Sequence, residues 1–180
     1  MGWTAKGDIS TARKFLAATG TTDAALIFGG DTSATFEAPA SAIASTEEYG
    51  SAVWSAGGDL PAAVTMHDGC GTQTAALSVG GANTSDTTLT SVYSYNGTAW
   101  SAVGSLSTST RNSAVFGTTA AAVSAGGGRF SGGSTYPPPT QSYNGVAWSA
   151  GADANYESNG HMGSGTQTTG LCAGCYSPGF

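Results

Sequence analysis

Charge is what this 180-residue chain has least of: Asp, Glu, Lys and Arg together supply 9% of it, and only five residues are Lys or Arg. The net charge is −6, and the five cations are scattered along the chain. No basic patch is available to neutralise a phosphate backbone, which argues against a nucleic-acid partner. No apolar run approaches the roughly 20 residues that span a bilayer, so membrane insertion is not expected. The opening "MGWTAKGDIS" lacks an apolar signal core, and nothing in it marks secretion by the ordinary route. Met1-Gly2 fails as a myristoylation start because Lys6 stands where a hydroxyl is required. Cysteine is scarce too. Cys70, Cys172 and Cys175 are odd in number and have no framework spacing, so they give no support for a disulfide scaffold.

What the chain does have is one phrase used repeatedly. "YNGTAW" occurs at 95–100 and "YNGVAW" at 143–148, with "YGSAVW" at 49–54 in the same frame and "MGW" ending at Trp3. All four tryptophans therefore share one register, Trp3, Trp54, Trp100 and Trp148, spaced 51, 46 and 48 residues apart. A period of this size marks a repeat architecture. Each unit gives the tryptophan and a small tail ("WSAGG", "WSAVG"), a short run, then a turn and a small-hydrophobic strand ending in glycines. Those strands read "GTTDAALIFGG", "GTQTAALSVGG", "GTTAAAVSAGG" and "GTQTTGLCAGC". A stretch of varying length then leads to Tyr49, Tyr95 or Tyr143, a tight turn, and the next tryptophan. The repeats run approximately 4–54, 55–100 and 101–148, with a partial one at 149–180, all in a single domain covering 1–180. "CAGC" at 172–175 is formally a CxxC, but in this register Cys175 replaces the second Gly of a pair and Cys172 replaces Ser78. Small buried strand residues, as free thiols without metal, are expected there.

Frequent glycine, the absence of a persisting 3.6-residue stripe, and the Val, Thr, Tyr and Trp content favour strands over helices. Only "STARKFLAA" at 10–18 is helix-compatible, and its register matches strands in the other units. Asn96-Gly97 and Asn144-Gly145 read as type I′ hairpin turns, and Gly50-Ser51 as the related type II′. Tyr and Trp flanking such a turn can seal the gap between neighbouring sheets. Each unit is thus expected to be a four-stranded antiparallel meander, and the chain an all-β propeller. "TEEY" at 46–49 reads as a solvated strand start, with Glu47 and Glu48 discouraging edge pairing.

The sequence resembles the kelch family, whose motif is a strand ending in Gly-Gly followed by a spaced Tyr and Trp. The matching residues are Gly29-Gly30/Tyr49/Trp54, Gly80-Gly81/Tyr95/Trp100 and Gly126-Gly127/Tyr143/Trp148. The Tyr–Trp spacing is compressed here, and the strands are rich in Ala and Ser. The strand count comes to about 3.75 blades: one strand near Trp3, twelve in three full units and two from 155–175. A ring of four blades closed through the N-terminal strand is one expectation. Completion by another copy is the other. At phrase level, "GTQTAAL…GG", "STxEEY" and "YNGTAW" are most similar to kelch-like repeats of virion structural proteins of marine bacteriophages. That resemblance implies a structural, decoration or fibre component of a phage particle.

Little in the chain suggests catalysis. His67 and His161 occupy equivalent positions, which could form a pair near a propeller axis or fill a slot taken by other side chains in units one and three. No Ser/His/Asp grouping stands out. "DGCGTQ" is followed by no helix, so it is not a phosphate cradle. "SYNGTAW" lacks the aspartate of a sialidase Asp-box, and Arg13, Arg111 and Arg129 would all be consumed by one carboxylate-binding triad. No enzyme activity, cofactor or metal is expected. Binding is placed instead on the connections between second and third strands, which vary from 13 to 18 residues. Their candidates are Phe36 in the first and Arg129, Phe130 and Tyr136 in the third, where Pro137-Pro138-Pro139 stiffens the loop. The incomplete fourth blade exposes strand edges, so Trp3, Tyr176 and Phe180 are expected at an inter-subunit or virion-docking seam. The function expected is non-enzymatic docking to other virion proteins or copies of itself on a phage particle, with a host-surface glycan as a further partner. The competing readings are a free carbohydrate-binding lectin and a degenerate glycosidase.

Overall fold

A computed structural model describes residues 7–34, 40–128, 130–131, 134–135, 139–153, 160 and 162–173. Unit 1 is a sheet of β1 (Ala17–Gly20), β2 (Ala25–Phe28), β3 (Thr46–Gly50) and β4 (Val53–Ala56). Unit 2 repeats it with β5 (Asp68–Thr72), β6 (Ala75–Val79), β7 (Val92–Tyr95) and β8 (Trp100–Ala102). In unit 3, β9 (Ala114–Thr118) and β10 (Ala121–Ala125) are followed by a small extra hairpin, β11 (Phe130–Ser131) and β12 (Ser134–Thr135). The third sheet is then completed by β13 (Pro139–Tyr143) and β14 (Trp148–Asp153). Unit 4 contributes β15 (Met162–Gly165) and β16 (Gly170–Ala173). Every strand pairing is antiparallel, and no helix occurs among the described residues.

The innermost strands pack in chain order, β1 on β5, β5 on β9 and β9 on β15, and no comparable packing closes β15 onto β1. Among the described residues the four sheets are thus arranged as successive propeller blades. The N-terminal strand near Trp3, through which a closed ring was expected, lies outside the described residues, so neither closure nor completion by another copy is placed; within unit 4 the side chains are exposed. Leu171 and Met162 are 70% and 77% exposed, whereas Leu26 and Leu77, which stand where Leu171 does, are fully buried.

The turns depart from the types read in the sequence. Tyr95 pairs directly with Trp100, leaving a four-residue loop in which only Gly97 has positive φ. The Asn96 side-chain oxygen accepts the amides of Thr98 and Ala99 (3.0 and 2.9 Å), and Asn144 does the same for Val146 and Ala147. With its side chain acting as a local acceptor, Asn needs no left-handed backbone of its own. In unit 1 the central turn residues are Ser51 and Ala52, both at positive φ, rather than Gly50 and Ser51.

Each hairpin sets a Tyr directly opposite a Trp: Tyr49–Trp54, Tyr95–Trp100 and Tyr143–Trp148, with ring centroids 5.2, 4.9 and 5.0 Å apart. The next layer is supplied by the preceding unit. Leu26 and Phe28 cluster with Ala76, Tyr95 and Trp100, while Leu77 and Val79 cluster with Ala122, Tyr143 and Trp148. Phe116 in turn lies over Gly163 and Gly170, where any Cβ would collide with its ring. Trp100 and Trp148 are buried, but Trp54, with no preceding sheet among the described residues, is half-buried.

The Gly-Gly pairs join the units. Gly29-Gly30, Gly80-Gly81 and Gly126-Gly127 all have positive φ. This conformation lets Gly30 N–H reach the Val64 carbonyl of the next unit (2.9 Å) and Gly81 N–H that of Thr110 (2.8 Å).

Glu47 is not solvated. It is 3% exposed, ion-paired with Arg13, and its other oxygen accepts Ser10 N–H at 2.7 Å. The "TEEY" strand is the third of four rather than an edge, and the face carrying Glu47 is closed by the run leading into β1. Gln141 holds the corresponding place in unit 3 and accepts Ser107 N–H at 2.8 Å. Unit 2 has Pro61 in place of that serine, which removes the donor, and Tyr93 in place of the acceptor. Cys172 is exposed instead of buried, because β16 is the edge of a two-stranded sheet; Cys70 is buried, both are thiols, and Cys175 lies outside the described residues.

Replacing Trp100 with Ala is expected to cost about 3–5 kcal/mol, as large core deletions do, and replacing Trp54 distinctly less. Trp100 Nε1 also donates to Thr46 Oγ1 at 3.0 Å, so Thr46→Val is expected to cost about 1–3 kcal/mol by orphaning a buried donor. Urea denaturation of the three variants checks the order. Equal losses at Trp54 and Trp100 would contradict this arrangement of the sheets.

Candidate functional site: the axial cavity and the open faces

Twelve residues after each tryptophan comes a residue that faces the axis: Phe15, Met66, Asn112 and Gly160. The first three have φ of 53°, 54° and 54°, the left-handed region that side chains rarely adopt, and Gly160 has 77°. They hold it because they hydrogen-bond to one another. Met66 N–H donates to Phe15 O (3.0 Å), Asn112 N–H to Met66 O (2.8 Å) and Gly160 N–H to Asn112 O (3.2 Å). The inner strands begin just after these residues and surround a cavity of about 400 Å³. Its walls include Phe15, Met66, Asp68, Asn112, Ser113 and Met162.

Asp68 is the carboxyl in that wall. Its oxygens accept the amides of Gly69 and Val115, both at 2.8 Å, and the second bond ties β5 to β9. Burial pushes the group up to about 6, and the two backbone donors offset this only in part. The neighbouring Cys70 thiol is pushed up to about 12 by burial and by the Asp68 charge. His67 is 5% exposed, with its ring against Phe28 (centroids 5.4 Å apart). Burial holds it down at about 3, and the Phe28 backbone offsets this only in part. The imidazole is therefore a neutral packing group at any physiological pH. His161, its counterpart in the sequence, lies outside the described residues, so a histidine pair cannot be placed.

Two further ion pairs join charged side chains. Lys14 approaches Asp31 at 3.4 Å, and Arg111 pairs with Asp86 of the preceding unit. Asp31 also accepts the backbone amides of Ser33 (2.7 Å) and Ser41 (3.1 Å). Burial would raise its carboxyl, but these bonds, the Ser33 hydroxyl and Lys14 together hold it below the usual range. Among the described residues, no three of His, Cys, Asp and Glu come together.

Of the loop candidates, Phe36, Arg129 and Tyr136 lie outside the described residues, as do Trp3, Tyr176 and Phe180 at the expected seam. Phe130 begins β11, opposite Thr135 in the extra hairpin. The residues that line the cavity and strap the units together are different ones. Gln73 Nε2 donates to the carbonyls of Ala25 (3.1 Å) and Tyr49 (2.6 Å), and Gln167 repeats this on Ala122 (3.1 Å) and Tyr143 (2.7 Å). The repeated "GTQT" at 71–74 and 165–168 was their signal in the sequence. Asp68 had none, since its place is held by Ala17 and Ala114 in the neighbouring units.

No family model matches the chain, and no curated protein matches it in sequence. In fold it is similar to the solved structure of YjhT, with a TM-score of 0.80 at 10% identity over 96% of this chain. The chain spans 65% of that protein's length. The likeness supports a propeller-like all-β architecture and, at this identity, no activity.

The folded Asp68 carboxyl titrates near 6 against an ordinary 3.8, so between those values the folded state holds a proton that the unfolded state has lost. This contribution to stability is complete below the lower value and lost as pH rises through the upper one. The melting temperature is therefore expected to rise on acidification from pH 7.5 to about 5, and to rise less in Asp68→Asn. Identical pH profiles for the two proteins would remove Asp68 as the source.

Proposed function

We propose that the protein is a non-enzymatic, kelch-like propeller scaffold that docks to other proteins on a bacteriophage particle. The observation that carries the non-enzymatic reading is the state of its ionisable groups. Arg13, Lys14 and Arg111 are engaged in ion pairs, Asp68 is held by two amides, and His67 is neutral and packed. No nucleophile–base pair converges on a common point among the described residues, which general acid–base or covalent catalysis would need. What such a scaffold offers is a rigid frame with connections of varying length between second and third strands, and such loops commonly carry recognition. The placement on a virion rests on the phrase-level resemblance of "GTQTAAL…GG", "STxEEY" and "YNGTAW".

A glycan-binding role, for host attachment or as a free lectin, is the second reading. The axial cavity of about 400 Å³, with an aromatic ring and a carboxyl in its wall, favours it. Mass spectrometry of purified particles from the encoding phage is expected to find the protein in stoichiometric amount. Its absence from the particles, together with selective retention of a sugar on a glycan array, would move the assignment to the lectin reading.

A further inference from the structure

The axial cavity has a carboxyl in its wall and, among the described residues, no cation paired with it. The two cations that approach the wall are engaged elsewhere. Lys14 Nζ lies 5.9 Å from the Phe15 ring centroid but donates to Ser33 and faces Asp31. Arg111 comes within 4.0 Å of the Met66 sulfur but pairs with Asp86. The strands packed around Asp68 add no charge, because β1, β6, β9 and β15 carry no ionisable residue. Its two titratable neighbours in sequence, His67 and Cys70, are uncharged at ordinary pH.

Each Asp68 oxygen accepts one backbone amide, from Gly69 and from Val115, both at 2.8 Å. An ionised carboxylate oxygen can accept a further donor, so both retain capacity toward the cavity. A buried carboxylate with no opposite charge beside it is costly, and a cation placed there relieves that cost. The rest of the wall is mixed. Phe15, Met66, Val115 and Met162 supply apolar surface, and Asn112 supplies a carboxamide. About 400 Å³ suits a ligand of monosaccharide size, whose ring has C–H faces for the first and hydroxyls for the second.

We infer that the axial cavity takes a cationic amino sugar, with its ammonium paired to Asp68 and its hydroxyls toward Asn112. The inference rests on the glycan reading of this cavity given above and names the class of sugar. A neutral sugar would leave the Asp68 charge uncompensated, and an acidic one would set a second carboxylate against it.

The test is titration calorimetry of the full chain at pH 7 with glucosamine, N-acetylglucosamine and glucuronate. Glucosamine is expected to bind about tenfold or more tighter than either of the others, as a charge-assisted hydrogen bond gives. Asp68→Asn is expected to bring glucosamine and N-acetylglucosamine to similar affinity. A second arm needs no variant. Asp68 titrates near 6 and glucosamine is chiefly an ammonium at both pH 7 and pH 5, so its affinity for the wild type is expected to fall about tenfold between them. Equal affinity for the three sugars, a preference for the neutral or acidic one, or glucosamine binding indifferent to pH or to Asp68→Asn would overturn the inference and leave the glycan reading standing. Absence of glucosamine binding would overturn it too, and the glycan reading would fall with it only if the array also retained no sugar.

Discussion

Around the axis, three backbone hydrogen bonds link Phe15, Met66, Asn112 and Gly160, each amide donating to the carbonyl of the preceding unit. A bond of this kind can form only if the chain reverses its twist at that residue, so phenylalanine, methionine and asparagine are held in a conformation that costs of order 1 kcal/mol or more each. The surroundings must impose it. What imposes it is the packing on either side, where the Gly-Gly pair of one unit donates to the next and the inner strands stack in order. The cavity at the centre is a by-product of this linkage, since its rim is drawn by the same four residues.

The junctions between sheets share their apolar contact but differ in the polar strap that accompanies it. Gln73 ties unit 2 to unit 1, and Gln167 ties unit 4 to unit 3. Between units 2 and 3, where Thr119 replaces the glutamine, Asp68 reaches the Val115 amide instead. The tryptophans vary in the same way. Trp100 finds Thr46, but Val92 occupies the matching position for Trp148, whose ring nitrogen is left without a partner. Variation of polar detail around a repeated hydrophobic contact is what a non-directional driving force permits.

Much of this was legible in the sequence. The tryptophan period, the Gly-Gly pairs and the Tyr–Trp hairpins identified a repeated four-stranded sheet, because these features are local and obey strand and turn chemistry. The errors came where side chains from distant positions decide the outcome. Glu47 looked like a solvated charge because nothing nearby showed that Arg13 and the Ser10 amide would enclose it. The Asn-Gly turns took a different form because a side-chain oxygen supplied what backbone twist was expected to supply. The axial residues were missed although each falls twelve after a tryptophan, since Phe, Met, Asn and Gly share no chemistry that pattern reading would group. Their common property is a backbone angle.

That the innermost strands pack in chain order has a consequence for how the molecule opens. In such a quasi-linear stack, stability is a sum of individual units and the interfaces between adjacent ones. Among the described residues, units 2 and 3 are held on both sides, whereas β15 and β16 are held chiefly by unit 3, through Phe116 and the Gln167 strap. Local opening is therefore expected to cost most at the central units, which grades the exchange of backbone amides with solvent along the chain. The slowest protons belong to the strands carrying Leu77 and Val79, which are enclosed on both faces by neighbouring sheets.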